Sequence, residues 1–111
     1  MIDLLTVLLY LTRPVPGVVT QRPSPTHKAT DFVCSVGDPV VAAHSGALTK
    51  THTRDFGLVA RVSGGGFVSH YAHLSAVENK TSVVGGEKLG ECGNTGRLTT
   101  GPHLHFEVRK S

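Results

Sequence analysis

Glycine and proline interrupt this chain so often that a long helix has nowhere to run. With 13 glycines and 6 prolines among 111 residues, the apolar stretches between turn formers are short. Short stretches rich in β-branched residues and bounded by Gly, Pro, Asn and Asp make strands. Asp31 to Cys34, Val40 to Ala43, Ala47 to Lys50, Phe56 to Val62 and Phe67 to His73 read this way, separated by Gly37-Asp38-Pro39, Ser45-Gly46 and Gly64-Gly65-Gly66. Strands at such spacing predict an all-β sandwich or barrel. A length of 111 residues allows one core, and therefore one domain.

Other segments are less regular. Residues 1-12 form an apolar N-terminal segment, distinct from the domain expected over 13-111. The apolar run is shorter than the roughly 20 residues that span a bilayer. Asp3 stands where a secretory signal would be basic, and no small-x-small cleavage site follows before Pro14. From Arg13 to Thr30 proline recurs, predicting extended, irregular chain. Ser75 to Val84 reads as a loose connection with room for one turn of helix, and Asn94 to Gly101 as a loop of turn formers in which Asn94 and Thr95 have groove lining as a second reading. The Gly37 turn and the Gly85-Gly86 turn resemble one another in sequence.

A formal charge of +3, with seven histidines uncounted, makes a mildly basic surface. It suits an anionic polymer such as a bacterial wall. The basic residues are scattered and lack interleaved aromatics, so nucleic acid is not an expected partner. Cys34 and Cys92 fit neither a Cys-x-x-Cys motif nor a thiolate metal set, leaving a disulfide or two buried thiols.

The chemistry concentrates in histidines. His103-Leu104-His105 lies in a strand-like run near the C-terminal end. Alternate strand residues share a face about 6.6 Å apart, so both rings can look into one cleft. His27 and Asp31, four residues apart, add two further donors. Catalytic zinc takes three His or carboxylate ligands and keeps one position open. His73, in His70-Tyr71-Ala72-His73-Leu74, is a candidate for proton transfer.

Six motifs then stand in order: His27-x-x-x-Asp31, Gly37-Asp38-Pro39-Val40-x-Ala42-x-x-x-Gly46, Tyr71-Ala72-His73-Leu74-Ser75, Gly85-Gly86-Glu87-Lys88-Leu89-Gly90, Gly93-Asn94-Thr95-Gly96 and Thr100-Gly101-Pro102-His103-Leu104-His105-Phe106-Glu107. Over roughly Pro14 to Arg109 the chain resembles the lysostaphin-type (LytM-like) zinc endopeptidases, which cut peptidoglycan peptides. The resemblance implies a mainly antiparallel β-sandwich with a catalytic groove. It also implies one zinc ion on His27, Asp31 and His105, with His73 and His103 as the catalytic pair. Zinc would acidify a water and polarise the scissile carbonyl. The chain has no His-Glu-x-x-His motif, so histidine takes the place of a glutamate base. The substrate implied is a peptidoglycan stem or crossbridge peptide, and the setting extracellular, periplasmic or virion-associated. Phage lysin and secreted hydrolase both fit, and the bond cut and the oligomeric state are open. Ala29 departs from the family's usual glycine two residues after the first ligand, and Gln21-Arg22-Pro23-Ser24-Pro25 replaces its aromatic and glycine residues. No stretch within these 111 residues is expected to form a wall-binding module.

Other histidines have plainer readings. His70 is expected on the strand face opposite His73, and His44 and His52 in loops or at the surface. Glu107 shares the face of His105 as either a support for it or a salt-bridged carboxylate. Tyr71 reads as core. Two alternatives to an active peptidase are a non-catalytic member of the same fold, acting as a wall-binding or activator module, and a lipoyl- or biotinyl-type carrier. The first usually lacks a ligand, and here none is missing. The second needs an exposed hairpin-tip lysine, which is not evident.

Overall fold

In the computed structural model, residues 11–21 and 29–111 are described, and among them every regular element is a strand. The ten strands are β1 (Val19–Gln21), β2 (Thr30–Val33), β3 (Pro39–Val41), β4 (Gly46–Thr53), β5 (Gly57–Gly64), β6 (Phe67–Leu74), β7 (Ala76–Val77), β8 (Ser82–Val83), β9 (Lys88–Glu91) and β10 (His103–Lys110). They form a seven-stranded sheet ordered β1-β2-β10-β6-β5-β4-β8 and a three-stranded sheet ordered β3-β9-β7. All pairings are antiparallel. The expected all-β fold is therefore the observed one.

Strands β4, β5 and β6 make a meander whose second turn consists of Gly65-Gly66 between the paired residues Gly64 and Phe67. Both turn glycines have positive φ, 63° and 85°, as a two-residue hairpin that follows strand twist requires. The two similar glycine turns of the sequence acquire a shared purpose: each feeds one strand of the β3–β9 pair in the small sheet.

Alternation divides the large sheet into two faces. Phe32, Leu48, Ala60, Val62, Tyr71, Leu104 and Phe106 are buried and meet Val40, Ala42 and Leu89 in the core. Tyr71 packs on Phe106 at 5.2 Å between ring centroids. Its hydroxyl accepts the Ala43 N–H at 2.9 Å and bonds Ser69 Oγ at 2.8 Å, so a fully buried tyrosine leaves no polar atom unsatisfied. His44, expected in a loop or at the surface, stands in the loop between β3 and β4 and is tied to this network through Nε2 to Ser69 Oγ at 2.9 Å. Residues of the opposite face, among them Asp31, His103 and His105, look into a groove.

Some segments differ from expectation. Ser75 to Val84 contains no helical turn; Ala76 and Val77 pair with Glu91 and Gly90, and Ser82 and Val83 extend the large sheet beside β4. Sheet edges there offer backbone partners that a single helical turn would lack. Within the expected irregular stretch, Val19–Gln21 joins the sheet edge against β2, and Val15 enters the core at 2% exposure. At the end of the apolar N-terminal segment, Leu11 packs against the core and the Thr12 N–H donates to Ala43 O at 2.9 Å. The rest of that segment, residues 1–10, lies outside the described residues. Cys34 and Cys92 form a disulfide across 58 residues. It joins the end of β2 to the segment after β9.

Candidate metal centre

Register alone brings two of the expected ligands together. In the β2–β10 pair, Asp31 is the direct partner of His105, and direct partners share a face with Cβ atoms about 5 Å apart. His105 Nδ1 lies 3.1 Å from Asp31 Oδ1, and both side chains are largely buried. The third expected ligand, His27, lies outside the described residues. Among the described residues, no group of three or more His, Cys, Asp or Glu fit for a metal is found.

His103 shares this face two residues along β10. Its Nδ1 is 2.8 Å from Gly101 O, a contact that places the proton on Nδ1, because a carbonyl can only accept. Nε2 then points inward, 4.0 Å from Asp31 Oδ1. Thr99 Oγ1 stands 3.4 Å from the same Nδ1 and donates to Asn94 Oδ1 at 2.6 Å. The loop before β10 thus holds the ring from behind.

His73 reaches the site by breaking the strand rule. Strict alternation would put it with Tyr71 in the core. Between the Leu58–Leu74 and Ala60–Tyr71 pairs, however, β6 has two residues where β5 has one, a β-bulge of the kind that re-aims side chains. His73 takes φ 64°, the one non-glycine residue with positive φ among those described. Its ring then lies 4.9 Å from His103 and 5.8 Å from His105 between centroids. His70, the cross-strand partner of Glu107, stays on the groove face one row away. The expectation that His70 and His73 face opposite ways is therefore overturned by the bulge.

Electrostatics follow the packing. Burial pulls the His73 pKa below its ordinary value, with the Thr95 carbonyl opposing and the His103 ring assisting. His70 is also lowered, by burial and then by the Arg109 guanidinium. Glu107 Oε1 accepts Arg109 Nε at 2.8 Å, so it is the salt-bridged carboxylate of the two readings offered by the sequence. Beside the centre, a cleft of about 390 Å³ opens between Thr20 and Gln21 of β1, Val33 of β2, and Gly101 and His103.

Two contributors were not foreseen from sequence. Phe56 packs its ring 5.3 Å from His105 and 5.9 Å from His73, although it stands in a turn and is 37% exposed. The sequence placed Phe56 at the start of a strand, whereas β5 begins at Gly57 and leaves Phe56 in the turn before it. Thr95 O meets His73 Nδ1 at 2.7 Å; being a backbone contact, it leaves no trace in residue type.

The profile of peptidase family M23 matches residues 25–111. Peptidoglycan DD-endopeptidase ShyA of Vibrio cholerae is 38% identical over 94 residues, which cover 81% of this chain and 21% of ShyA. The chain thus spans about a fifth of that relative. Among solved structures, a peptidase M23 from Pseudomonas aeruginosa superposes with TM-score 0.80 at 36% identity, covering 90% of this chain and 45% of the other. A zinc containing peptidase from Vibrio cholerae gives 0.75 at 30%, covering 85% and 33%. The catalytic domain of lysostaphin from Staphylococcus simulans gives 0.71 at 30%, covering 76% and 67%. The chain belongs to peptidase family M23.

Proposed function

We propose that this domain is a zinc endopeptidase that hydrolyses peptide bonds of bacterial peptidoglycan, acting outside the cytoplasm. His27, Asp31 and His105 hold the ion, and His73 and His103 carry out proton transfer and charge stabilisation. One observation carries the reading: Asp31 Oδ1 and His105 Nδ1 converge, while His103 and His73 each give Nδ1–H to a backbone carbonyl and keep Nε2 for the groove.

The donor set fits zinc. Two ligand atoms at zinc's usual 2.0–2.1 Å in tetrahedral geometry stand about 3.3 Å apart, close to the 3.1 Å between Asp31 Oδ1 and His105 Nδ1. A carboxylate and an imidazole also belong to zinc's ordinary ligand types, and one related structure is titled a zinc containing peptidase. When bound, zinc supplies Lewis-acid polarisation of the carbonyl and acidification of water.

The protein's own groups do the rest. His103 Nε2, free because Nδ1–H is engaged, accepts the proton of the attacking water as its oxygen bonds to the carbonyl carbon. That proton passes to the departing amine as the C–N bond breaks. His73, neutral as the Nδ1–H tautomer in the resting site, would steady the negative charge developing on the carbonyl oxygen once it takes up a proton from solvent at Nε2. The Thr95 carbonyl on Nδ1–H favours this charged form, and burial opposes it.

The name of ShyA supports a DD cross-link as substrate, ahead of a glycine bridge. Mass spectrometry of fragments released from purified walls of both chemotypes, with zinc and with a chelator, tests this. New amine and carboxyl ends at the DD cross-link, abolished by chelator, are expected. Intact walls of both kinds, or release unaffected by removing metal, would overturn the function.

A further inference from the structure

The motif Gly93-Asn94-Thr95-Gly96 reads in the sequence as a turn, and in the fold it does more than reverse the chain. We propose that Thr95 is the positioning residue for His73: its side chain pins the β6 bulge, and its carbonyl fixes the orientation of the imidazole. The inference deepens the peptidase reading and rests on it for the catalytic part alone.

Three bonds of one residue carry it. Next to the bulge Leu58 is paired with Leu74, and both backbones carry a further bond to one side chain. Thr95 Oγ1 accepts the Leu58 N–H at 3.1 Å and donates to the Leu74 C=O at 2.7 Å. Thr95 O takes His73 Nδ1–H at 2.7 Å. One hydroxyl therefore bridges the two strands at the point where His73 takes φ 64°, a conformation that is costly for a non-glycine residue and persists only where its surroundings hold it. The neighbouring backbone is built around this contact. A Cβ on Gly57 would stand 2.3 Å from Thr95 Oγ1, and one on Gly96 2.4 Å from Gly57 N. The loop's start is fixed too, because the Cys92 N–H donates to Asp38 O at 2.8 Å and Cys92 is bonded to Cys34.

The hydroxyl's one proton is committed to Leu74 O and one of its lone pairs to the Leu58 N–H. Its influence on hydrolysis passes through His73. A backbone carbonyl held from two sides selects the Nδ1–H tautomer and aims Nε2 at the groove.

The test uses the whole chain and two readouts. In the metal-free protein, long-range imidazole ¹⁵N spectra above the titration range should show His73 as the Nδ1–H tautomer. An Nε2–H tautomer in the unsubstituted protein would overturn the proposal without any variant. Thr95→Val keeps the shape and removes the hydroxyl. It is expected to lower kcat on the order of 10²-fold, as a small misplacement of a catalytic group does, with KM and zinc content near the parent's and a mixed His73 tautomer. Thr95→Ser restores both bonds and should recover kcat and the tautomer. If Thr95→Val keeps parental kcat and tautomer while His73→Ala is inactive, the positioning role is refuted and the peptidase reading stands. If His73→Ala itself hydrolyses normally, the catalytic role of His73 fails instead. Should Thr95→Val not fold, a Thr95→Ser protein with the parental fold but unrecovered kcat or tautomer contradicts the proposal equally.

Discussion

Asp31 and His105 meet because two regular strands are in register, whereas His73 and His103 meet because irregular backbone holds them. The first pair needs nothing beyond antiparallel pairing, with Asp31 opposite His105. The second pair needs a bulge, a positive φ and two loop carbonyls. On the proposed reading, the groups that would grip an ion are set on the regular part of the sheet, and those that would move protons are set where a loop selects the tautomer. The two pairs should therefore fail differently.

Removing His105 gives the largest expected effect. His105→Ala should lose metal and hydrolysis together, read by zinc stoichiometry and by turnover on wall fragments; retained stoichiometric zinc would detach His105 from the ligand set. Next in size is the loss of His73, where His73→Ala should keep zinc and lose about 10²–10⁴-fold in kcat, the range of a positioned acid–base group. Parental rates would merge the two pairs into one structural cluster.

The disulfide sharpens the comparison from the side of stability. It spans 58 residues, and closing a loop of that length removes about 4 kcal/mol of unfolded-state freedom in the chain-entropy model. It also ties the end of the Asp31 strand to the loop that holds His73. Cys34→Ser with Cys92→Ser should lower unfolding stability by about 2–5 kcal/mol in denaturant titration. Activity should fall while zinc content holds, since Asp31 keeps its strand register without the crosslink. Loss of zinc with activity intact would invert that expectation.

The smallest effect concerns pH. His70 and His73 are both lowered from 6.5, by burial first, so the unfolded chain binds more protons than the folded one as pH falls through this range. Stability of the metal-free protein should be full above 6.5 and decline as pH drops through the folded-state values. His70→Gln should flatten part of that slope in urea titrations at a series of pH values. A slope of opposite sign would mean that the rings gain, rather than lose, protons on folding.

These differences also explain what was readable in the sequence. Alternation and turn spacing specify β2, β4, β5, β6 and β10 of the large sheet, the buried Leu104 and Phe106, and the shared face of His103 and His105, because they depend on local periodicity. Family membership followed from six short motifs in order, and the profile match over residues 25–111 bears it out. The short strands β7 and β8 were not legible, since their pairing depends on distant edges. Nor was the bulge at His73, which no residue type announces, and which made the alternation argument for His70 fail. Thr95 reads as a turn former first and as groove lining second, and its tie to His73 was not legible, because its hydroxyl bonds elements some 21 and 37 residues away and its other contacts use the backbone. His27 belongs to the residues outside the described part of the fold, so its role remains part of the proposal.

The central claim is that His103 and His105, two residues apart on one strand, divide the work between proton transfer and metal binding. Zinc stoichiometry and turnover of His103→Ala, measured side by side on one preparation, test it most directly. One zinc per chain with hydrolysis reduced at least a hundredfold, on the order expected for a lost general base, is the predicted result. Loss of zinc from His103→Ala, or hydrolysis at the parental rate, would contradict the account.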